Sequence, residues 1–386
     1  MNFIKKVFPR GILYNAPGKW MITADWLKFN EGTEAGKMHI IYAERSWTEH
    51  PPVIENHVVT ERFKRYFKRL ILQAYVVELP LGMVFGECTN FILTPDYVLL
   101  ADLSREFGAY GGRQMKNSSV LRWQLNMPKP KFIYGNVAVI STSGYNNFHH
   151  WNYDCIPRIF LLKQAGLYES IDFFILAHSG LSFQVEALDL LGLPKEKIIN
   201  PEENKIFFYQ AEVLYVPSLP AILGTIAPWV VDFLQNLYNP FQQSIDGPKR
   251  IYLSRKKVIS RHIANNDQFL KLLRKFGFEE IFPENYSVSN LAMMLKNAFC
   301  VISVHGSGLS NLCFVSPGTI VIDILAPYHQ DGYYWMITNY RKSKYIGFFG
   351  EGSHPPDDLD LVRNKIDDDI LLDLDKMHGL LLRELV

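Results

Sequence analysis

His149 and His150 stand side by side, and Asp154 follows four residues after the second of them. If the segment is helical, that spacing puts His150 and Asp154 on one face. An imidazole held beside a carboxylate can orient a hydroxyl or take its proton. Arg158 lies four residues further on, so the same spacing also suits an Asp154–Arg158 ion pair supporting a buried His150. Spacing alone leaves both arrangements open. Asn146 or Asn147 is the expected N-cap of this helix, whose first N–H groups and partial positive charge attract polar ligands. Pro157 has no N–H for the carbonyl of Tyr153 and is expected to kink the helix at its start.

A second group is His305-Gly306-Ser307-Gly308, followed by Asn311. Glycines let a ligand approach the backbone, and a helix after them would offer N–H groups to an anion. The pattern is neither a dinucleotide-binding GxGxxG loop nor a Walker A loop. It is equally compatible with a tight turn that binds nothing. A third group follows the run RIYLS: Arg255, Lys256, Lys257, Arg261 and His262. Guanidinium groups match phosphate oxygens in pairs, and a position beside the His305 turn would make a diphosphate pocket. Two acidic pairs, Asp358 with Asp360 and Asp373 with Asp375, imitate a metal–nucleotide motif. Both lie in the C-terminal tail, where acidic residues are expected to cap or solvate the last helix.

These groups need elements to hold them. Short β-rich runs broken by Gly, Pro and Asp fill residues 74–104 and predict a small meander ahead of the main fold. Strand and helix patterns then alternate: strands over 137–142, 171–178, 197–200 and 211–218, helices over 149–166 and 182–193. A polar, turn-rich stretch at 239–249 reads as a linker. The alternation resumes with strands over 250–256, 278–283, 300–306 and 319–325 and helices over 267–277 and 287–298; the tail is expected to end in a helix. Such alternation predicts βαβ units around parallel sheets. The expected fold class is α/β, with an N-terminal extension over 1–130 and Rossmann-like domains over 131–240 and 241–386. Ligands in such sheets bind beyond the carboxyl ends of the strands, so a cleft between the two domains is the expected site.

The 386 residues are 48% hydrophobic and 20% charged, enough apolar surface for sizeable cores. Lys and Arg total 40 against 39 Asp and Glu, a balance that argues against a dedicated nucleic-acid binder. Four cysteines without a CxxC pair, Cys88, Cys155, Cys300 and Cys313, suit neither a disulfide scaffold nor a structural zinc site. No signal-peptide run or 18-residue apolar stretch is visible, so a cytoplasmic protein is expected. In residues 61–70, Phe63, Tyr66, Phe67 and Leu70 fall at helical spacing among five basic residues. This predicts a basic amphipathic helix, either packed on its own domain or lying peripherally at the inner face of a membrane.

Three segments, NFHHWNYDCIPRIFLL, RIYLSRKKVISRHIANNDQFLKLLRKFGFE and VISVHGSGLSNLCFVSPGTIVIDI, resemble glycosyltransferase family 61 in the same order. That family includes plant xylan-decorating arabinosyl- and xylosyltransferases and animal O-linked N-acetylglucosaminyltransferases, and the form here looks most like its bacterial capsular-polysaccharide branch. The resemblance covers roughly residues 74–345. It implies a two-domain glycosyltransferase B fold and metal-independent, inverting transfer from a nucleotide sugar, usually a UDP sugar, onto a glycan or lipid-linked saccharide. No cofactor, metal or nucleic acid is expected. Arg255, Lys256, Arg261, His305, Gly306, Ser307, Gly308, Asn311 and Asp323 would serve the donor. Asp154 is expected as base, with His150 as partner or rival and His149 beside them; Asn147, Trp151 and Arg158 would lie on the acceptor side. The family often has Glu where Asp323 stands and Asn-Glu-Glu where Asn265-Asn266-Asp267 stand. Two other readings share the motifs: a fold that has lost transfer and acts as a scaffold in polysaccharide assembly, and a pyruvyl-type transferase.

Overall fold

Runs such as Cys300–Val304 and Ile320–Leu325 are apolar at nearly every position. A strand of that kind must be covered on both faces, which is the environment of a parallel sheet between helices. The computed structural model bears this out in a mixed α/β chain. It describes residues 2–86, 90–106, 118–201, 206–222, 225–258, 260–328, 331–352 and 368–386. The chain divides into two units, one of residues 1–45 and 72–223, the other of residues 46–71 and 224–386.

The first unit is built on a mixed sheet. Lys131–Val139 runs parallel to Phe173–Ile175 on one side and to Phe207–Pro217 on the other. The meander expected ahead of the main fold belongs to this same sheet. Phe207–Pro217 is eleven residues long, and its first part pairs antiparallel with Met83–Gly86, its second with Ala74–Pro80. One long strand therefore joins the meander to the βαβ elements, which the short local runs could not reveal. Val77, Leu79, Val84, Val137, Val139, Leu214 and Val216 form the buried core of this unit. Arg158 is almost wholly buried. Its guanidinium donates to the carbonyls of Ile140 (3.2 Å), Ser141 (2.8 Å) and Pro217 (2.7 Å), tying the end of Lys131–Val139 to its neighbour.

The second unit carries six parallel strands in the order Glu279–Ile281, Arg250–Leu253, Cys300–Val304, Ile320–Leu325, Lys344–Phe349, Val53–Ile54. The edge strand comes from residues 46–71. The Asn56 amide extends this pairing, donating to Phe349 O at 2.7 Å and accepting from Phe349 N at 2.9 Å. Ser287 caps the helix Val288–Lys296 by accepting from Asn290 N. The expected tail helix is Leu374–Leu385; it buries Met377, Leu380 and Leu381 against a core that also holds Phe269, Leu273, Ile322 and Phe348. Asp373 caps it, accepting from Lys376 N at 3.0 Å, so this acidic pair has the capping role. Asp358 and Asp360, like Cys88, lie outside the described residues.

The helix expected over 61–70 is corrected. Glu61–Lys64 is a single turn, and Lys68–Ile71 is a strand with Arg69 and Ile71 inward. Phe63 is buried and meets Trp335 edge-to-face at 6.1 Å. The helical spacing of the aromatic residues is thus a turn followed by β alternation, and the amphipathic surface on which the membrane reading rested does not form. Among the described residues, no helix is long and apolar enough to cross a membrane.

Candidate active site

In the first unit, the strand Lys131–Val139 leads through the buried run Ile140–Ser143 into a turn. Asn147 is the cap, its side chain accepting from His149 N (2.8 Å) and His150 N (3.4 Å). The helix starts as Phe148–His150, widens to a π turn over Trp151–Cys155 and resumes as Pro157–Gln164. Ile156 N reaches back to Trp151 O at 3.1 Å, five residues away. Pro157 explains the widening: it has no N–H to continue the ladder and suits the first turn of the fresh helix. Single π turns of this kind recur at functional sites.

On the widened turn, His150 Nδ1 lies 2.7 Å from Asp154 Oδ2. The ion-pair partner of Asp154 is Arg105, whose Nη1 donates to the same oxygen at 2.5 Å. Arg158 has its guanidinium on the three carbonyls described above. The Asp154–Arg158 arrangement is therefore replaced by Asp154 with Arg105. Asp154 is only 1% exposed. Burial alone would raise its carboxyl; the Arg105 charge and the His150 hydrogen bond outweigh that and hold it down at about 2. Asp154 is consequently an ionised anchor. His149 stacks on Tyr153, 4.8 Å between centroids and 14° between planes. Trp151 is fully buried, so its ring offers no face to an acceptor sugar. Asn147 and His150 lie at or near the surface, while Trp151 and Arg158 shape the scaffold beneath them.

In the second unit, Arg255, Lys256 and Arg261 line one cavity of about 230 Å³ together with Tyr252, His262, Asn266, Asp267 and Val304. Tyr252 and Val304 sit at the carboxyl ends of Arg250–Leu253 and Cys300–Val304, where open α/β sheets bind ligands. The Arg255 guanidinium packs directly against Gly306: a Cβ there would stand 2.7 Å from Arg255 Cζ. A side chain at Gly306 would therefore displace the Arg255 guanidinium, while the backbone, with a φ of 161°, is extended and unstrained. Arg261 adopts a positive φ of 59° and donates from Nη1 to His305 O at 2.6 Å. His305 is buried, with Nδ1 2.8 Å from Asp323 Oδ2, which also accepts from Tyr345 Oη at 2.9 Å. Asp323 is fully buried and fixes the His305 ring. Ser307–Phe314 is a 3₁₀ helix, and Asn311 Nδ2 donates to Gly308 O at 2.9 Å within its first turn. Asn265 is bonded in both directions to the backbone of Leu372, with Nδ2 donating to its carbonyl at 2.8 Å.

Sequence spacing found Asn147, His150 and Asp154 as one group and Arg255, Arg261 and the His305 turn as another. It missed Arg105, which reaches Asp154 from 49 residues away. Arg105 is placed by an isolated bridge to Asn90, and its local sequence carries no motif.

Residues 148–322 match the model of the family glycosyltransferase 61. That stretch of the chain is similar to glycosyltransferase family 61. The chain is also similar to the EGF domain-specific O-linked N-acetylglucosamine transferase of Drosophila melanogaster, with 25% identity over 120 residues, 30% of this chain. The match spans 22% of that relative's length. The matched family segment begins at Phe148 and includes the histidine candidates and every donor-side candidate except Asp323, which lies one residue beyond its end. Arg105 lies outside it.

Proposed function

We propose that the chain transfers a sugar from a nucleotide sugar, in the first instance a UDP sugar, to a glycan or lipid-linked saccharide, with inversion and without a metal ion. The observation that carries this reading is the cavity at the carboxyl ends of the second unit's strands, where Arg255 packs on Gly306 and Arg261 is fixed on the His305 carbonyl. In this proposal the architecture is a two-domain glycosyltransferase B, the second unit holding the donor and the first serving the acceptor.

Inverting transfer is a single displacement. The acceptor oxygen bonds to the anomeric carbon as the bond to the diphosphate breaks, and the acceptor proton must leave. Held at about 2 by Arg105 and His150, Asp154 is too weak a base for this work. His150 takes the proton in our reading, with Asp154 orienting its ring through Nδ1 and stabilising the imidazolium that forms. This exchanges the roles expected from sequence, with Asp154 as base and His150 as its partner or rival. Arg255, Lys256 and Arg261 meet the charge on the departing diphosphate, a preorganised set that needs no solvent reorganisation.

The test is thermal stabilisation by UDP and UDP sugars in a chelating buffer. A ligand that binds only the folded chain raises its melting temperature by mass action. UDP and one UDP sugar are expected to stabilise the wild type, and Arg255→Ala should weaken UDP binding by about tenfold to a hundredfold, the scale of a charged hydrogen bond. A folded wild type indifferent to all nucleotides, or an Arg255→Ala variant with unchanged affinity, overturns the donor assignment.

A further inference from the structure

The second unit holds another cavity, of about 630 Å³, that the proposed reaction does not use. Its walls include Val53, Lys344 and Tyr345, residues that open the parallel strands Val53–Ile54 and Lys344–Phe349. It therefore lies at the amino ends of the sheet, whereas the Arg255 cavity lies at the carboxyl ends. All of its lining residues except Pro228 and Asp232 fall outside the matched segment 148–322. Its walls come from residues 47–53, 228–232 and 335–345.

The cavity is firmly built. The Glu49 side chain is 1% exposed and pairs with Arg69 Nη2 at 2.6 Å. Its other oxygen accepts from Asn339 Nδ2 at 2.9 Å. Trp335 Nε1 donates to His50 O at 2.9 Å, and Tyr340 Oη donates to Ile226 O at 2.7 Å. The half-buried rings of Trp47 and Tyr340 meet edge-to-face at 5.3 Å on the wall. Lys344 at the rim is bridged to Glu384 at 2.5 Å, and Glu49 and Asp232 add carboxylates. The wall thus carries two half-buried aromatic rings, hydroxyl and amide side chains at Thr48, Ser343 and Asn339, and charges of both signs. Phosphate calls for a cationic surface; a pyranose calls for ring faces against its C–H groups and scattered polar atoms for its hydroxyls.

We propose that this cavity is a non-catalytic saccharide-binding subsite that grips a glycan remote from the reacting end. Its place in the biology rests on the transferase reading above, since a glycan acceptor is the carbohydrate such an enzyme would meet.

The experiment is retention of the full-length folded chain on an immobilised glycan array, followed by calorimetric titration of a retained oligosaccharide. Trp47→Ala and Thr48→Trp are the variants; the second fills the cavity from an exposed position and covers the case in which the first does not fold. Each should weaken glycan binding at least tenfold. Trp47→Phe should keep most of it, and Arg255→Ala all of it. A wild type that retains no glycan, or glycan binding unmoved by both variants, overturns the subsite. UDP stabilisation, read on the same preparations, separates the two ideas. A UDP response without glycan retention sinks the subsite alone. Glycan retention sensitive to Trp47 without a UDP response upholds the subsite and sinks the donor assignment.

Discussion

The carboxylate beside His150 in the first unit and the guanidinium groups at the Arg255 cavity in the second handle charge in opposite ways. In the first, a single carboxylate is buried to 1% exposure and held by an arginine and a histidine on one of its oxygens. In the second, Arg255 and Arg261 are half-buried, the one lying against a glycine and the other bonded to a backbone carbonyl, at the wall of an open cavity. A buried, ion-paired carboxylate changes its protonation reluctantly and serves to orient a neighbour. Guanidinium groups at a cavity wall match the paired oxygens of an anion. The contrast separates proton handling from charge stabilisation, and each substitution below acts on one side of it.

The largest effect is expected from His150→Ala. Turnover of the proposed transfer should fall about a hundredfold to ten-thousandfold, the usual contribution of a positioned general base. UDP stabilisation should not change, since the donor residues lie in the other unit. Asp154→Asn should lower turnover comparably by leaving the imidazole unoriented. An Asp154→Asn enzyme with near-wild-type turnover whose His150→Ala counterpart is dead would keep the base and remove its anchor; the reverse pattern would restore Asp154 as base.

Arg105→Ala comes next. It strips a buried carboxylate of its counter-charge, which typically destabilises a protein by about 3–5 kcal/mol. Denaturant melts should show this loss, and Arg105→Lys should recover part of it. A variant as stable as the wild type would mean that the 2.5 Å pair contributes nothing net.

The same carboxylate makes a smaller, pH-dependent contribution. Its folded value of about 2 lies below the unfolded value of roughly 3.9. A depressed carboxylate stabilises the fold fully above the unfolded value and loses that contribution as pH falls through the folded one. Stability should therefore drop by about 2.5 kcal/mol between roughly pH 5 and pH 1 on account of this group. Urea melts at stepped pH check it: the acid slope of Asp154→Asn should be shallower than that of the wild type, and equal slopes would remove the linkage.

How much of this was legible in sequence differs between the same two regions. In the second unit the cationic residues and the glycine turn both follow strands whose continuous apolar runs announce burial, so the topology that joins them could be anticipated from local patterns. The edge strand Val53–Ile54 could not, because two residues carry no period. In the first unit the i, i+4 spacing brought His150 to Asp154 correctly, and Pro157 marked the distortion. The partner of Asp154 stayed hidden because Arg105 and Arg158 offer identical chemistry. Only the tertiary fold decides which guanidinium meets the carboxylate and which meets carbonyls. The basic run 61–70 misled for a related reason: a one-turn helix followed by an alternating strand places its aromatic residues much as a longer helix would.

The smallest expected effect sharpens the comparison most finely. Asn147 is exposed, outside the ion-paired cluster, and its side chain accepts from the N–H groups of His149 and His150. Removing an Asn cap costs about 1 kcal/mol, so Asn147→Ala should lower stability by that amount, and Asn147→Ser should restore most of it. The cap also sets the backbone from which His150 leaves toward Asp154. If orientation of the imidazole matters, Asn147→Ala should depress turnover by more than its stability cost predicts, at unchanged UDP affinity. If it depresses turnover only in proportion to the unfolded fraction, the Asp154 contact alone fixes the ring, and the cap serves the helix and nothing beyond it.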